Sequence, residues 1–233
     1  MNEPARLSNM VDRCLANVRA TRNGDGRPPI GVPRNWDLDL TEELIERAVE
    51  LTDSRVPTRY QAATVSEQLV NAWVNKLVSA TTAPGSQLGC GPSLLLLGDV
   101  GRGKTYQGFA AIRALASFGI SIRWAAMTEG DLFARLRPRH GIDSESEFQA
   151  IAGAPMLLLD DLGSAKTSEW TEEITYRVVN HRYEHLLPTI FTSNVLPANL
   201  KNVLGDRVTS RLAQMAMRVV LTGPDRRREV RAA

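Results

Sequence analysis

Gly98-Asp-Val-Gly-Arg-Gly-Lys104-Thr105 directly follows the apolar run Ser93–Leu97, and this junction decides how the chain folds. The spacing G-x-x-x-x-G-K-T is the P-loop pattern, which occurs where a buried strand turns into a helix. Its glycines let backbone N–H groups point at phosphate oxygens, and the start of the helix adds its positive dipole end. Because strand and helix patterns flank the motif, we interpret it as a nucleotide-binding loop rather than a glycine-rich surface turn.

The residues of this loop form the candidate nucleotide site. Lys104 is predicted to place its charge on the β- and γ-phosphates, and the Thr105 hydroxyl is predicted to ligate Mg²⁺. The expected ligands are therefore ATP and Mg²⁺. The candidate contacts are Gly98, Asp99, Val100, Gly101, Arg102, Gly103, Lys104, Thr105 and Tyr106.

A second apolar run, Met156–Leu159, ends in the paired carboxylates Asp160 and Asp161. Ligands in open α/β sheets bind beyond the carboxyl ends of the strands, so both acids are placed for chemistry. Asp160 is predicted to hold Mg²⁺, and Asp161 is predicted to polarise the attacking water as a general base. Two solvated acids in a turn are the alternative. The P-loop upstream favours ATP hydrolysis.

Asn194 follows a third strand pattern, Thr189–Ser193. An amide at this position is suited to orient the water or to contact the γ-phosphate. Asn is equally common in ordinary turns, and Pro197 indicates that the chain bends here. The residues alone leave both interpretations open.

Composition limits the class of protein. The chain has 233 residues, 43% of them hydrophobic, and a net charge of +2. That length fits one domain of about 170 residues with an extension. No apolar stretch approaches the roughly 20 residues of a membrane span, and the N-terminus lacks the apolar core of a signal peptide. Cys14 and Cys90 are too few for a structural zinc site. We expect a cytoplasmic protein without a membrane partner.

Strand and helix patterns alternate from residue 93 onward. This alternation predicts a three-layer α/β fold with a parallel five-stranded sheet. One predicted strand separates the P-loop strand from the acidic strand in sequence, which favours the additional-strand ATPases over simple nucleotide kinases. Before it, helices are expected over 5–20, 41–51 and 64–80. The expected strands are 93–97, 120–126, 155–160, 189–193 and 217–221, with helices at 104–118, after the caps Thr128, Ser144 and Ser168, and at 205–215.

Arg207 and Arg211 are four residues apart, so they share one face of the predicted helix 205–215. Arginines placed this way can project from the edge of one subunit to the γ-phosphate bound by a neighbour. A solvated basic face is the more common outcome for such a pair. Sequence spacing alone does not separate the two.

Four stretches carry a resemblance to a known family: Val56-Pro-Thr-Arg-Tyr-Gln-Ala-Ala63, Gly98–Thr105, Asp160-Asp-Leu-Gly163 and Gly205-Asp-Arg-Val-Thr-Ser-Arg211. Together they resemble the ATPase domain of DnaC/DnaI-type replicative helicase loaders, which are AAA+ proteins. The resemblance covers residues 56–228, about three quarters of the chain. It implies an AAA+ core without a helical lid domain, preceded by a small helical extension over 1–55 and followed by a tail over 229–233.

The resemblance assigns roles to individual residues. Arg211 becomes the leading arginine finger, the residue that reaches a neighbour's nucleotide, and Arg207 becomes its companion. Asn194 occupies the position of the family's first sensor residue. Arg227, in the segment Gly223-Pro-Asp-Arg-Arg227, resembles a second sensor arginine.

The segment Met127–Arg139 matches the position of the family's extra DNA-binding helix. Phe133, Arg135 and Arg137 are the candidate contacts, because aromatic stacking with cations along the backbone holds single strands without sequence preference. Alternatively, Phe133 packs inward and the arginines form a solvated face.

The implied function is loading a replicative hexameric DNA helicase onto single-stranded DNA. Hydrolysis of ATP would release the loader, and ATP would promote its self-association. Residues 1–55 are expected to bind the helicase, although they lack the zinc-binding head of DnaI-type loaders. An IstB-type transposition ATPase that serves a transposase on double-stranded DNA is an alternative. A non-catalytic ATP-dependent scaffold is another.

Overall fold

The computed structural model describes residues 38–80, 88–141 and 143–225. The predicted helix over 5–20 and the candidate sensor Arg227 lie outside these residues. The described residues divide into two compact units, one containing residues 38–80, 88 and 109–122 and the other residues 89–108, 123–141 and 143–225. The expected domain boundary near residue 56 stays a prediction.

The second unit contains a parallel five-stranded sheet, as predicted. Its strands in chain order are β1 (Ser93–Leu97), β2 (Trp124–Thr128), β3 (Met156–Asp160), β4 (Thr189–Ser193) and β5 (Ala216–Val220). Every residue of β1 and β4 is buried, which explains why the central strands are apolar or carry only small hydroxyls.

The strand order β2-β3-β4-β1-β5 decides where the candidate site residues meet. β4 lies between β1 and β3, pairing Leu97 with Ser193 on one side and Leu159 with Phe191 on the other. β4 thus separates the P-loop strand from the acidic strand in the sheet. Since all five strands are parallel, the carboxyl ends of β1, β4 and β3 lie at one edge of the sheet.

One predicted strand differs from the structure by more than one residue at its ends. The pattern from Ile120 predicts a strand over 120–126, but pairing with β3 begins at Trp124, opposite Met156, and continues to Thr128, opposite Asp160. The predicted bounds 120–126 followed side-chain hydrophobicity, whereas the actual bounds of β2 follow from backbone pairing with the neighbouring strand. The shift places the last residue of β2 beside the acidic end of β3.

Five helices accompany the sheet. They are α3 (Lys104–Ser117), of which residues 104–108 belong to this unit, α4 (Glu129–Leu136), α5 (Ser144–Ala152), α6 (Glu169–Glu184) and α7 (Leu200–Met215). The caps of α4 and α6 are the expected capping boxes of Thr128 and Ser168. The expected cap at Ser144 is wrong, since Asp143 accepts from the backbone N–H groups of Glu145 and Ser146.

Helix α7 begins five residues earlier than expected. The chain is helical from Leu200, and Gly205 interrupts the helix with a φ of 75°. In the sequence, Gly205 looks like the residue before a new helix. In the structure, its positive φ joins two helical segments.

The first unit is described from α1 (Leu38–Asp53) through α2 (Gln68–Ala80), together with residues 109–122. Arg113 fixes its interior, since its Nε lies 2.6 Å from Asp53 Oδ1 and its Nη1 donates to the Ala63 carbonyl at 2.7 Å. The Tyr60 ring stacks on Phe109 at a centroid separation of 4.8 Å. Among the described helices, none combines the length and apolarity that crossing a membrane requires.

Candidate nucleotide site

The P-loop has the backbone conformation that its glycines allow. Gly98, Gly101 and Gly103 have φ values of 145°, 83° and 85°, which side-chain-bearing residues rarely adopt. A Cβ on Gly98 would lie 2.5 Å from the Leu221 carbonyl oxygen, so the chain after β5 also closely approaches the loop. Glycine is therefore required here by both conformation and space.

Lys104 is buried at the first turn of α3, with 5% of its surface exposed. Its Nζ donates to the carbonyl oxygens of Gly98 at 2.7 Å and Asp99 at 2.8 Å, and to Asn194 Oδ1 at 2.5 Å. These bonds fix the ammonium against the loop, where a bound triphosphate would need a cation. The loop thus fits the nucleotide that its sequence predicts.

Thr105 and Asp160 meet across the sheet edge, although they are 55 residues apart. Thr105 Oγ1 lies 2.9 Å and 3.1 Å from the two carboxylate oxygens of Asp160. Thr192, on β4, also donates to Asp160 Oδ1 at 2.6 Å. Burial raises the pKa of the Asp160 carboxyl above its ordinary value. A hydroxyl beside one carboxylate fits Mg²⁺, which takes few protein ligands and completes its shell with phosphate and water.

Asp161 has a left-handed backbone, with a φ of 57°. Thr192 of β4 and Asn194, directly after β4, fix it: its N–H donates to Thr192 Oγ1 at 3.0 Å, and its Oδ1 accepts from Asn194 Nδ2 at 3.0 Å. The carboxylate is thereby held beside the amide that also contacts Lys104. This arrangement can orient a water molecule and accept its proton.

The structure adds Thr192 to the candidate residues. Thr192 bonds both Asp160 and Asp161, yet nothing in its local sequence pattern singles it out. The available signal was its position two residues before Asn194, which places both side chains on the same face of an extended strand.

Glu129 is the second residue that sequence reasoning missed. It is the first residue of α4 and only 4% exposed. Its Oε2 accepts from the backbone N–H groups of Gly163 at 3.0 Å and Ala165 at 3.2 Å, and burial raises its pKa. In the sequence it looks like an ordinary acid in the first turn of a helix.

The two candidate finger arginines lie on α7 and contact α6. The guanidinium carbon of Arg207 is 3.6 Å from the centre of the Tyr176 ring. Arg211 donates from Nη2 to the Tyr176 hydroxyl at 3.0 Å and from Nε to Asn180 Oδ1 at 2.5 Å. Contacts with α6, and not with the P-loop, therefore order both arginines within one subunit.

The structure corrects one predicted nucleic-acid contact. Phe133 is only 7% exposed and packs in the hydrophobic core with Leu132 and Leu136. Of the two interpretations of Phe133, inward packing is therefore confirmed and base stacking is wrong, because the ring lies in the core and not on the exposed side of α4. Arg135 and Arg137 are exposed, as a contact with a phosphate backbone requires.

Comparison with known proteins agrees with this fold and loop. Residues 89–222, more than half of the chain, match the family described as IstB-like ATP binding protein. The chain belongs to the IstB-like ATP-binding family. Nucleotide binding at the P-loop is therefore a property of its family as well as of its geometry.

Two proteins similar to this IstB-like chain come from different biological contexts, replication and an insertion sequence. It is 29% identical over 211 residues to the replicative helicase loader DnaI of Bacillus subtilis, covering 84% of this chain and 67% of that one. It is 26% identical over 237 residues to an ATP-binding protein in an insertion sequence of Mycobacterium tuberculosis, covering 95% of this chain and 90% of that one.

Solved structures confirm the AAA+ type of fold. The crystal structure of the DnaC helicase loader matches with a TM-score of 0.58 at 24% identity, covering 71% of this chain and all of that chain. The DnaI crystal structure matches with a TM-score of 0.55 at 25% identity, covering 77% and 92%. AMPPCP-bound DnaA of Aquifex aeolicus matches with a TM-score of 0.57 at 22% identity, covering 76% and 54%. The predicted resemblance to DnaC/DnaI-type loaders is confirmed.

Proposed function

We propose that this protein is an ATPase that loads a replicative hexameric DNA helicase onto single-stranded DNA and is released when ATP is hydrolysed. One observation carries the enzymatic part: Lys104, Asn194 and Asp161 form a continuous hydrogen-bonded series across the ends of three neighbouring strands. The relationship to the loader DnaI supports the biological part.

The P-loop would bind the nucleotide, and its last residue together with the end of β3 would bind the metal. Backbone N–H groups of Gly98–Lys104 and the Lys104 ammonium would hold the phosphates of ATP. Thr105 and Asp160 would hold Mg²⁺, which supplies positive charge that neutralises the phosphate oxygens. The contact between the Thr105 hydroxyl and the Asp160 carboxylate keeps both oxygens directed at one point.

Asp161 and Asn194 would act on the attacking water. The Asp161 carboxylate accepts a proton from this water, while the Asn194 amide fixes the carboxylate and contacts Lys104. Because the same amide touches both groups, the water and the γ-phosphate are positioned relative to each other.

Arg211 would complete the site of a second copy of this chain, with Arg207 as its companion. An arginine supplied by a neighbour stabilises charge on the transferred phosphoryl group and makes turnover depend on self-association. Arg211 is suited to this role because Tyr176 and Asn180 order its guanidinium before a neighbour arrives.

Single-stranded DNA would bind to the exposed cations of α4. Arg135 and Arg137 are both exposed near the end of that helix, where they can follow a phosphate backbone. The stacking expected from Phe133 is not part of this proposal. We further propose that the protein works in the cytoplasm and that residues 1–55 bind the helicase.

The decisive experiment measures ATP hydrolysis by the full chain alone, with single-stranded DNA, and with single-stranded DNA plus the cognate helicase. We expect hydrolysis that rises with DNA, and helicase deposited on a single-stranded circle only when ATP is present. Absence of hydrolysis in all three conditions would support an ATP-dependent scaffold instead.

A transposition ATPase is the second candidate function. The insertion-sequence relative favours it, since that match covers almost the whole of both chains. The two candidates differ in their partners. Capture of a transposase, with hydrolysis stimulated by double-stranded DNA and indifferent to single strands, would replace helicase loading as the function.

A further inference from the structure

Glu129 occupies a position that connects two parts of the candidate machinery. It directly follows β2 and begins α4, the helix that carries the exposed Arg135. Its carboxylate points away from that helix's exposed side and is bonded to the loop after β3. One side chain thus joins the proposed DNA-binding helix to the segment that begins with Asp161.

The loop after β3 is held from two sides. β4 holds its beginning, since Thr192 accepts from the N–H of Asp161 through its hydroxyl and from the N–H of Leu162 through its carbonyl, at 3.0 Å and 2.8 Å. Glu129 holds its continuation through the N–H groups of Gly163 and Ala165. A shift of Glu129 would therefore move the loop next to the candidate general base.

Gly163 makes this connection tight. Its φ is 81°, and a Cβ built on it would lie 2.9 Å from Val203 Cγ1 and 3.1 Å from Val195 Cγ2. The loop has little free space at this point, so displacement of its backbone is passed on to the neighbouring residues instead of being absorbed.

Helix α4 is short and stiff enough to transmit such a shift. A capping box of Thr128 and Asp131 fixes its first turn. Leu132, Phe133 and Leu136 anchor its buried side in the core. At a rise of about 1.5 Å per residue, the six steps from Glu129 to Arg135 span roughly 9 Å. DNA bound at the exposed arginines would thus be separated from the Asp161 loop by only the length of α4.

We infer that Glu129 is a positioning residue through which single-stranded DNA bound at Arg135 and Arg137 adjusts the Asp161 loop, so that DNA stimulates ATP turnover. The inference rests on the proposed function and specifies the route by which its DNA site regulates its nucleotide site. Glu129 itself touches neither substrate.

The hydrogen-bond pattern of Glu129 provides a conservative variant. Oε2 accepts from both backbone N–H groups, whereas Oε1 accepts from the Thr175 hydroxyl at 3.4 Å. In Glu129→Gln, the amide oxygen can keep the first two bonds and the amide N–H can donate to the Thr175 oxygen. Glu129→Ala removes all three bonds. The two variants therefore separate the effect of losing the hydrogen bonds from the effect of losing the negative charge.

The experiment compares the wild type, Glu129→Ala, Glu129→Gln and the control Glu46→Ala, which alters an exposed acid of α1. Turnover at saturating ATP is measured with and without oligothymidylate, together with the KM for ATP and the affinity for labelled oligothymidylate. We expect Glu129→Ala to keep the KM and DNA affinity within about threefold of wild type while its stimulation ratio falls close to one. Glu129→Gln and Glu46→Ala should keep the ratio.

The other possible results contradict either the inference alone or the inference together with the proposed function. Normal stimulation of Glu129→Ala overturns the inference alone, as does a parallel loss of ATP and DNA binding, which indicates a purely structural residue. A wild type that DNA does not stimulate overturns both the inference and the proposed loading function. If Glu129→Ala does not fold, amide exchange in the wild type decides: oligothymidylate should slow exchange at Gly163 and Ala165, and unchanged exchange overturns the inference.

Discussion

The amide of Asn194 bridges Lys104 and Asp161, accepting from the lysine ammonium at 2.5 Å and donating to the Asp161 carboxylate at 3.0 Å. A carboxamide has both an acceptor and a donor end, so its orientation follows from the charges it faces. The candidate base therefore has a fixed relation to the phosphate-binding lysine, although 57 residues separate the two in the chain.

This bridge predicts a defect in turnover rather than in binding. Asn194→Ala removes both bonds but leaves Lys104 bonded to two loop carbonyls. We expect kcat to fall by about 10- to 100-fold, with a much smaller change in the KM for ATP, because water positioning contributes mainly in the transition state. Steady-state kinetics test this. A rise in KM at unchanged kcat would show that Asn194 serves binding instead.

Removal of the P-loop lysine should abolish binding itself. Lys104→Ala takes away the buried cation at the phosphate site, so we expect affinity for a fluorescent ATP analogue to fall by about 100-fold or more. Titration of the analogue measures this effect, and circular dichroism checks that the variant is folded. Affinity near that of the wild type would place the nucleotide elsewhere.

The environment of Asp160 predicts how metal dependence varies with pH. Burial raises the pKa of this carboxyl, so protons compete with Mg²⁺ at a higher pH than for an exposed aspartate. We expect apparent Mg²⁺ affinity, measured in the presence of ATP, to weaken as pH falls through this raised pKa. The control is Asp160→Asn, which should bind Mg²⁺ weakly and without that pH dependence. Identical pH profiles for both proteins would contradict the assignment.

Mixing two inactive variants tests whether Arg211 acts on a neighbouring subunit. Arg211→Ala keeps its own P-loop, and Lys104→Ala keeps its arginines, so each lacks a different half of a shared site. We expect each variant alone to lose DNA-stimulated turnover and the mixture to regain part of it. A mixture no more active than its components would argue against sharing.

Tyr176 offers a graded test of the same arginines. Its ring lies under Arg207, and its hydroxyl accepts from Arg211. Tyr176→Phe keeps the ring and removes one bond, whereas Tyr176→Ala removes both contacts. We expect stimulated turnover to fall in the order wild type, Tyr176→Phe, Tyr176→Ala, with nucleotide affinity unchanged. Equal activity in all three proteins would show that the arginines need no support from α6.

Arg182 predicts a defect in stability that is separate from activity. Its side chain is fully buried, with burial lowering its pKa to about 9. It donates to the carbonyls of Ala152, Ala154 and Pro188 and to the Thr189 hydroxyl. Arg182→Met would leave several buried carbonyls without a donor.

We expect Arg182→Met to lose about 3 kcal/mol of unfolding free energy or more, and its Tm to fall by roughly 10 °C. Thermal unfolding followed by circular dichroism measures this. The control is Arg177→Met, whose arginine is bonded to the exposed Glu145, and this change should move the Tm by only a small fraction of that amount. Equal shifts in both variants would show that the buried bonds are not decisive.

The strands and the P-loop could be predicted because they depend on local sequence patterns. Strand patterns located four of the five strands to within one residue, and the P-loop spacing predicted that a helix begins beside Lys104 and Thr105. Contacts between distant segments could not be read in this way. Thr192 acts on residues 31 and 32 positions away, and Glu129 on residues 34 and 36 positions away, so neither differs locally from an ordinary strand or helix residue. The sequence left base stacking and inward packing of Phe133 both open, and only the burial of its ring in the folded chain decided between them.

The left-handed backbone of Asp161 determines which inactive protein is suited to trapping an ATP complex. Alanine at a φ of 57° is disfavoured by about 1–2 kcal/mol, so that substitution would disturb the loop as well as remove the carboxylate. Asparagine tolerates this conformation far better than most residues. Asp161→Asn is therefore the substitution that we expect to capture the proposed nucleotide-bound assembly by electron microscopy, because it would remove the candidate base while leaving the loop in place.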